Sequence, residues 1–144
     1  VLKGEEKMGV KLARDSIDLG IITANEDAMI GFYHGLLGLP LTGEVTLPDG
    51  ARIRRIGCGQ STLRLYIPAA TPRPAGDAQW SAVTGLRYCA ILIDNLATVI
   101  DECGRAGARI VQHIVEPRPG VRAALIADPD GNVIELMQIG NGGE

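Results

Sequence analysis

The chain has no long apolar run, no block of like charge and no C-x-x-C pair. Each absence closes a class of function. A bilayer-spanning helix needs about 20 consecutive apolar residues, and no stretch of that kind occurs. Nor is there a basic amphipathic segment suited to a membrane surface. The 14 Lys and Arg and 17 Asp and Glu are interspersed and leave a net charge of -3, which is not a nucleic-acid footprint. The three cysteines, Cys58, Cys89 and Cys103, are odd in number. They read as reduced thiols, two of them core fillers. No charged-then-apolar leader is read at the start, and the expected location is cytoplasmic.

What is present is a chain of 144 residues, 46% apolar. That suits one compact domain, or two small half-domains sharing a core. Residues 16 to 41 and 85 to 110 run parallel in character. Each opens with an apolar strand. Each has an Asn where a helix should start, Asn25 and Asn95, both suited to capping. Each helix ends near a glycine, Gly38 and Gly107, as a left-handed residue after a helix requires. Met29, Phe32, Tyr33 and Leu36 fall at helical spacing in the first, and Leu96, Val99, Ile100 and Cys103 in the second.

The repeat continues downstream. Gly50 falls on Gly120, Arg52 on Arg122 and Ile56 on Ile126, an offset of about 70 residues. One extra residue in the second turn then sets Arg64 opposite Glu135. Each unit is strand, helix, then strands joined by tight turns, too small to be comfortable alone. The reading is therefore an arm over 1–15, one unit over 16–68, a linker over 69–84, a second unit over 85–139 and a tail over 140–144. The linker is rich in proline and alanine without periodicity. It holds Trp80, the only tryptophan, read as capping the core edge or as a lid or subunit contact.

The paired βαβββ units, FYHGLLGLPL after the first strand and DPDGNVIEL at the end together resemble the vicinal oxygen chelate superfamily of glyoxalases, bleomycin-resistance proteins and extradiol dioxygenases. The resemblance covers about residues 16 to 139. It implies an α+β protein of two paired βαβββ modules forming a concave, mixed-sheet cleft, and a homodimer. It also implies a divalent metal held by His and Glu from the first and last strands of each module.

The residues at those positions are mostly not metal ligands. The first-strand positions fall on Asp18 and Tyr88, and the last-strand positions on Arg64 and Glu135. Strand alternation turns all four to the cleft, with Leu19, Ile21, Leu63, Leu65, Cys89, Ile91, Ile134 and Leu136 packing the other way. Arg64 has no lone pair to offer. A dication about 4 Å from a guanidinium would be repelled by about 8 kcal/mol at an effective dielectric of 20. The expectation is that Arg64 pairs with Asp18 or Glu135 and stands in for the ion, so no cofactor is expected. If a metal bound, Asp18 and Glu135 would be its ligands. The two histidines, His34 and His113, fall at none of the four positions, though His113 could reach the cleft mouth.

Three functions fit. The first is a binding protein for a small organic molecule, anionic or aromatic. Its apolar wall would be Ile22, Leu92 and Met137, with Arg64, Trp80 and His113 as further contacts. The second is a metal-independent isomerase, epimerase or lyase, with Asp18 or Glu135 as base and Tyr88 as proton donor. An arginine beside the base would depress its pKa and tell against that role. The third is a divalent-metal enzyme of glyoxalase or dioxygenase type. Arg52, Arg54 and Arg55 form a local basic run, read as a solvated strand face or as a site for an anionic tail at the cleft rim.

Overall fold

The computed structural model describes residues 9–76 and 79–140. Eight strands and two helices follow in the order β1 (Leu19–Ile22), α1 (Glu26–Ile30), β2 (Leu41–Thr46), β3 (Arg52–Cys58), β4 (Ser61–Ile67), β5 (Tyr88–Leu92), α2 (Leu96–Arg105), β6 (Arg109–Arg118), β7 (Val121–Ala127) and β8 (Val133–Ile139). They form two four-stranded sheets with the same topology, β1-β4-β3-β2 and β5-β8-β7-β6. In each, the first strand pairs in parallel with the last, and the other pairings are antiparallel. The expected pair of βαβββ modules is thus what the chain forms.

Strand alternation sorts the side chains as the sequence predicts. One face of each sheet lies under its helix. Ile56, Leu65, Ile126 and Ile134 there are fully buried, and a single apolar cluster draws on both modules. The opposite, open face carries Ile22, Arg64, Tyr88 and Leu92, all exposed. Leu65, fully buried, and Arg64, exposed, are neighbours in sequence and separated only by the pleat.

The first helix departs from its prediction. After Ile30 it widens into a π-helical segment over Gly31–Leu36, seen in the bond from the Leu37 amide to the Phe32 carbonyl at 2.9 Å. The repeat explains it: the first module has one residue more than the second between its Asn and its post-helix glycine, Asn25 to Gly38 against Asn95 to Gly107. A π turn absorbs an added residue without moving the helix ends. Gly38 and Gly107 take φ of 72° and 75°, where a side chain would be strained. Asn25 and Asn95 stand at the N-cap positions, but neither side chain caps its helix. For α2 the cap comes from the sheet: the fully buried Gln138 of β8 accepts a hydrogen bond from the Leu96 amide at 2.8 Å.

The basic run is resolved by the same alternation. Arg52 and Arg54 lie on the helix face, where both donate to Glu26 of α1 and lie near Glu44. They are neither a solvated strand face nor a cleft rim. Arg52, then Arg54, hold the Glu26 carboxyl below the ordinary glutamate range. A depressed folded-state pKa contributes stability that is complete above the unfolded value and lost as pH falls through the folded one. Glu26→Gln should therefore lower the thermal midpoint at neutral pH and flatten its decline below about pH 4. Parallel pH profiles of wild type and variant would sink the assignment.

Candidate functional site

The modules are latched by the turn between β7 and β8, and each latch residue has a clear local origin. Asp128 follows β7 and is buried, and its carboxylate organises the Asp-Pro-Asp-Gly turn by accepting from the amides of Asp130 and Asn132, both at 2.9 Å. The Asn132 side chain adds a third bond at 2.8 Å. The fourth comes from the other module: the Tyr33 hydroxyl donates to Asp128 at 2.6 Å. Beside it the Thr23 hydroxyl, at the end of β1, donates to Asp130 at 2.6 Å. Burial, then the Asp128 carboxylate, push the Tyr33 phenol well above the ordinary tyrosine range. Sequence reading places Tyr33 at helical spacing in the first helix and the turn among the tight turns. The Asp-Pro-Asp-Gly string was the available signal, but it does not reveal what the turn docks against.

A narrow cavity of about 110 Å³ runs along the seam, lined by Leu19, Ile21 and Tyr33 of one module and Tyr88, Cys89 and Ile134 of the other. A shallow hollow of about 530 Å³ opens between Trp80 and Tyr88. Their rings meet edge to face, centroids 5.4 Å apart, and Arg87 donates to the Trp80 carbonyl at 3.2 Å. A third hollow of about 500 Å³ lies where Ile22, Thr23 and Asn25 face linker residues Pro72 to Ala75. None of these three is lined by Asp18, Arg64 or Glu135.

Asp18 and Arg64 are together, as expected, with guanidinium and carboxylate 2.8 Å apart. Asp18 also accepts the Thr62 amide at 2.9 Å and lies 3.5 Å from Arg14. The Thr62 N–H, then Arg64 and Arg14, hold the Asp18 carboxyl below the usual carboxylate range. Tyr88 and Glu135 belong to the other sheet, on β5 and β8. Tyr88 lies against Trp80. Glu135 is half-buried, paired across the ladder with Ala90 and Leu125, and has no ion-pair partner among the described residues. Of the two partners foreseen for Arg64, the structure selects Asp18. No hydrogen bond or ion pair among the described residues joins Asp18 and Arg64 to Tyr88 or Glu135.

Leu92 and Met137 are cross-strand neighbours on the open face. His113 is exposed on β6 and lines none of the three hollows. His34 lies 2.8 Å from the Leu39 carbonyl through Nδ1; a carbonyl only accepts, so Nδ1 carries the proton. Burial raises the thiol pKa of Cys58, Cys89 and Cys103, as suits packing residues rather than nucleophiles.

A divalent metal does not fit these residues. Both Asp18 oxygens are engaged by donors, and a guanidinium occupies one of the four positions where ligands would stand. Among the described residues no group of three or more His, Cys, Asp or Glu could hold a metal ion. No described helix is long and apolar enough to cross a membrane.

The family model described as Glyoxalase/Bleomycin resistance protein/Dioxygenase superfamily matches residues 17–136. No curated protein matches the chain. Among solved structures, a glyoxalase family protein from Bacillus cereus superposes with a TM-score of 0.78 at 19% identity, over 94% of this chain and 99% of that one. The trypanothione-dependent glyoxalase I of Leishmania major gives 0.67 at 21% identity, over 90% and 88%. A glyoxalase I variant from Zea mays gives 0.73 at 19% identity, over 85% of this chain but 44% of that one. At these identities the structures speak for the fold alone.

Proposed function

The chain belongs to the glyoxalase/bleomycin resistance protein/dioxygenase superfamily, and from that membership we propose that its open face binds a small organic molecule without a divalent metal. The observation that carries the reading is the Asp18 carboxylate, bonded to Arg64 and the Thr62 amide in place of a chelating set. Ile22, Tyr88, Leu92 and Met137 would offer apolar surface and Arg64 a fixed charge, the usual make-up of a ligand site. Trp80 and Tyr88 would border it, and the homodimer common in such proteins is the assembly we expect. Asp18, held below its ordinary pKa, is a weak general base, which favours sequestration over proton transfer by that residue.

The test is metal content by elemental mass spectrometry, after loading with Mn, Ni, Zn or Fe and desalting. The expected content is far below one ion per chain. A panel of neutral and anionic organic compounds, followed by thermal shift and by Trp80 emission, should then give hits that chelators do not abolish. Near-stoichiometric metal that is lost in Glu135→Ala would overturn the reading.

A further inference from the structure

The hydrogen-bonded register sets Gly20, Arg64, Arg55 and Gly43 in one row across β1, β4, β3 and β2. Two arginines thus stand directly opposite each other in an antiparallel pair. Like charges so placed destabilise a sheet. The other two arginines of β3 are offset by Glu26 and Glu44 on the helix face. On the open face the only acid in the cluster among the described residues is Asp18, which binds Arg64 and Arg14. Arg55 is exposed and has no ion-pair partner among the described residues. With Arg14, Arg55 and Arg64 against Asp18, two positive charges stay uncompensated among the described residues.

The ends of the row are bare. A Cβ at Gly43 would meet the Arg55 Cδ and Nη1 at 3.9 Å, so the Arg55 side chain lies over a strand position with no side chain of its own. A Cβ at Gly20 would meet nothing within 4 Å. Neither flank walls off the guanidiniums. Asp18 holds one of them by a bond at 2.8 Å, the Arg64 guanidinium donating to its carboxylate.

We infer that the Arg55–Arg64 row is a seat for the doubly charged oxyanion end of a small molecule, a phosphate ester, a phosphonate or a dicarboxylate. The inference rests on the open face being the ligand face and names the chemistry of the ligand's polar end. Guanidinium forks match carboxylate and phosphate oxygens in pairs. A dianion cancels the uncompensated charge and relieves the repulsion between the two strands. Asp18 remains in place as the clamp that orients Arg64.

The experiment is thermal denaturation of the full chain at constant ionic strength in sodium phosphate, sodium malonate or sodium chloride. Arg55→Met is compared with Arg105→Met, which removes the same charge from the exposed Arg105–Asp101 pair of α2. Phosphate or malonate should raise the wild-type midpoint by about 3 °C or more beyond chloride. Arg105→Met should keep that shift. Arg55→Met should lose it, while its midpoint without the anion equals or exceeds that of wild type. A response to phosphate alone assigns an ester or phosphonate, and a response to malonate alone a dicarboxylate. If neither anion exceeds chloride, or Arg55→Met keeps the shift, the seat is refuted. Organic hits that persist without any anion effect would overturn the seat alone, whereas stoichiometric metal would overturn the metal-free reading whatever the anions do.

Discussion

Asp128→Ala is expected to cost about 4 kcal/mol of stability. The substitution strands four donors at once: the Tyr33 hydroxyl, the amides of Asp130 and Asn132, and the Asn132 side chain. Tyr33 is 1% exposed, and a buried donor left without its partner costs about 1 to 3 kcal/mol. Tyr33→Phe removes one of the four bonds and should cost about 2 kcal/mol. Chemical denaturation of both single variants and the double variant gives the coupling between the modules directly. A loss below about 1 kcal/mol for Asp128→Ala would mean that the turn is held by the Thr23–Asp130 bond and apolar packing instead. The alkaline side carries a second signature. Tyr33 has a raised folded-state pKa, so its contribution is complete below the unfolded value and lost as pH rises above it. Wild type should weaken above about pH 10 more steeply than Tyr33→Phe.

Leu65→Ala should cost about 3 kcal/mol, while Arg64→Ala, one residue away, should leave the midpoint nearly unchanged. Leu65 is fully buried between β4 and the helix side of the first module, where truncation leaves a cavity. Arg64 faces outward; its removal loses an exposed ion pair and also a like-charge neighbour. Asp18 keeps the Thr62 amide and Arg14. Thermal denaturation of the two variants separates the faces of the sheet, and equal losses would show that the pleat had been read in the wrong phase.

Much of this fold is local and therefore legible in the sequence. The apolar alternation, the glycines at 38, 50, 107 and 120 with positive φ and the repeat fix two modules, because strand and turn chemistry act over a few residues. The pairing of Arg64 with Asp18 was one of two foreseen. The other partner, Glu135, lies in the second sheet across the register from Ala90 and Leu125, and whether it reaches Arg64 depends on how the two sheets sit together. The same limit hid the latch: Tyr33 and Asp128 are 95 residues apart, and no local pattern joins them. Gln138 carries no local sign of its role, because a helix cap from the sheet exists only once α2 lies on β8. Arg55 was grouped with Arg52 and Arg54, and only the register separates the face that is neutralised from the face that is not.

The latch also decides which module recognises which. At the repeat offset, the counterpart of Tyr33 is Cys103 and that of Asp128 is Cys58, so phenol and carboxylate on one side answer to two thiols on the other. Duplicated modules of shared topology could in principle associate like with like, first with first or second with second. A first-with-first pairing would set the Tyr33 hydroxyl against Cys58, a weak acceptor. A second-with-second pairing would bury the Asp128 carboxylate beside Cys103, without a strong donor across the seam. Only the mixed pairing satisfies both groups. A chemical difference at two matched positions thus gives an internally duplicated chain a preference for unlike halves, whether the two halves come from one molecule or from two.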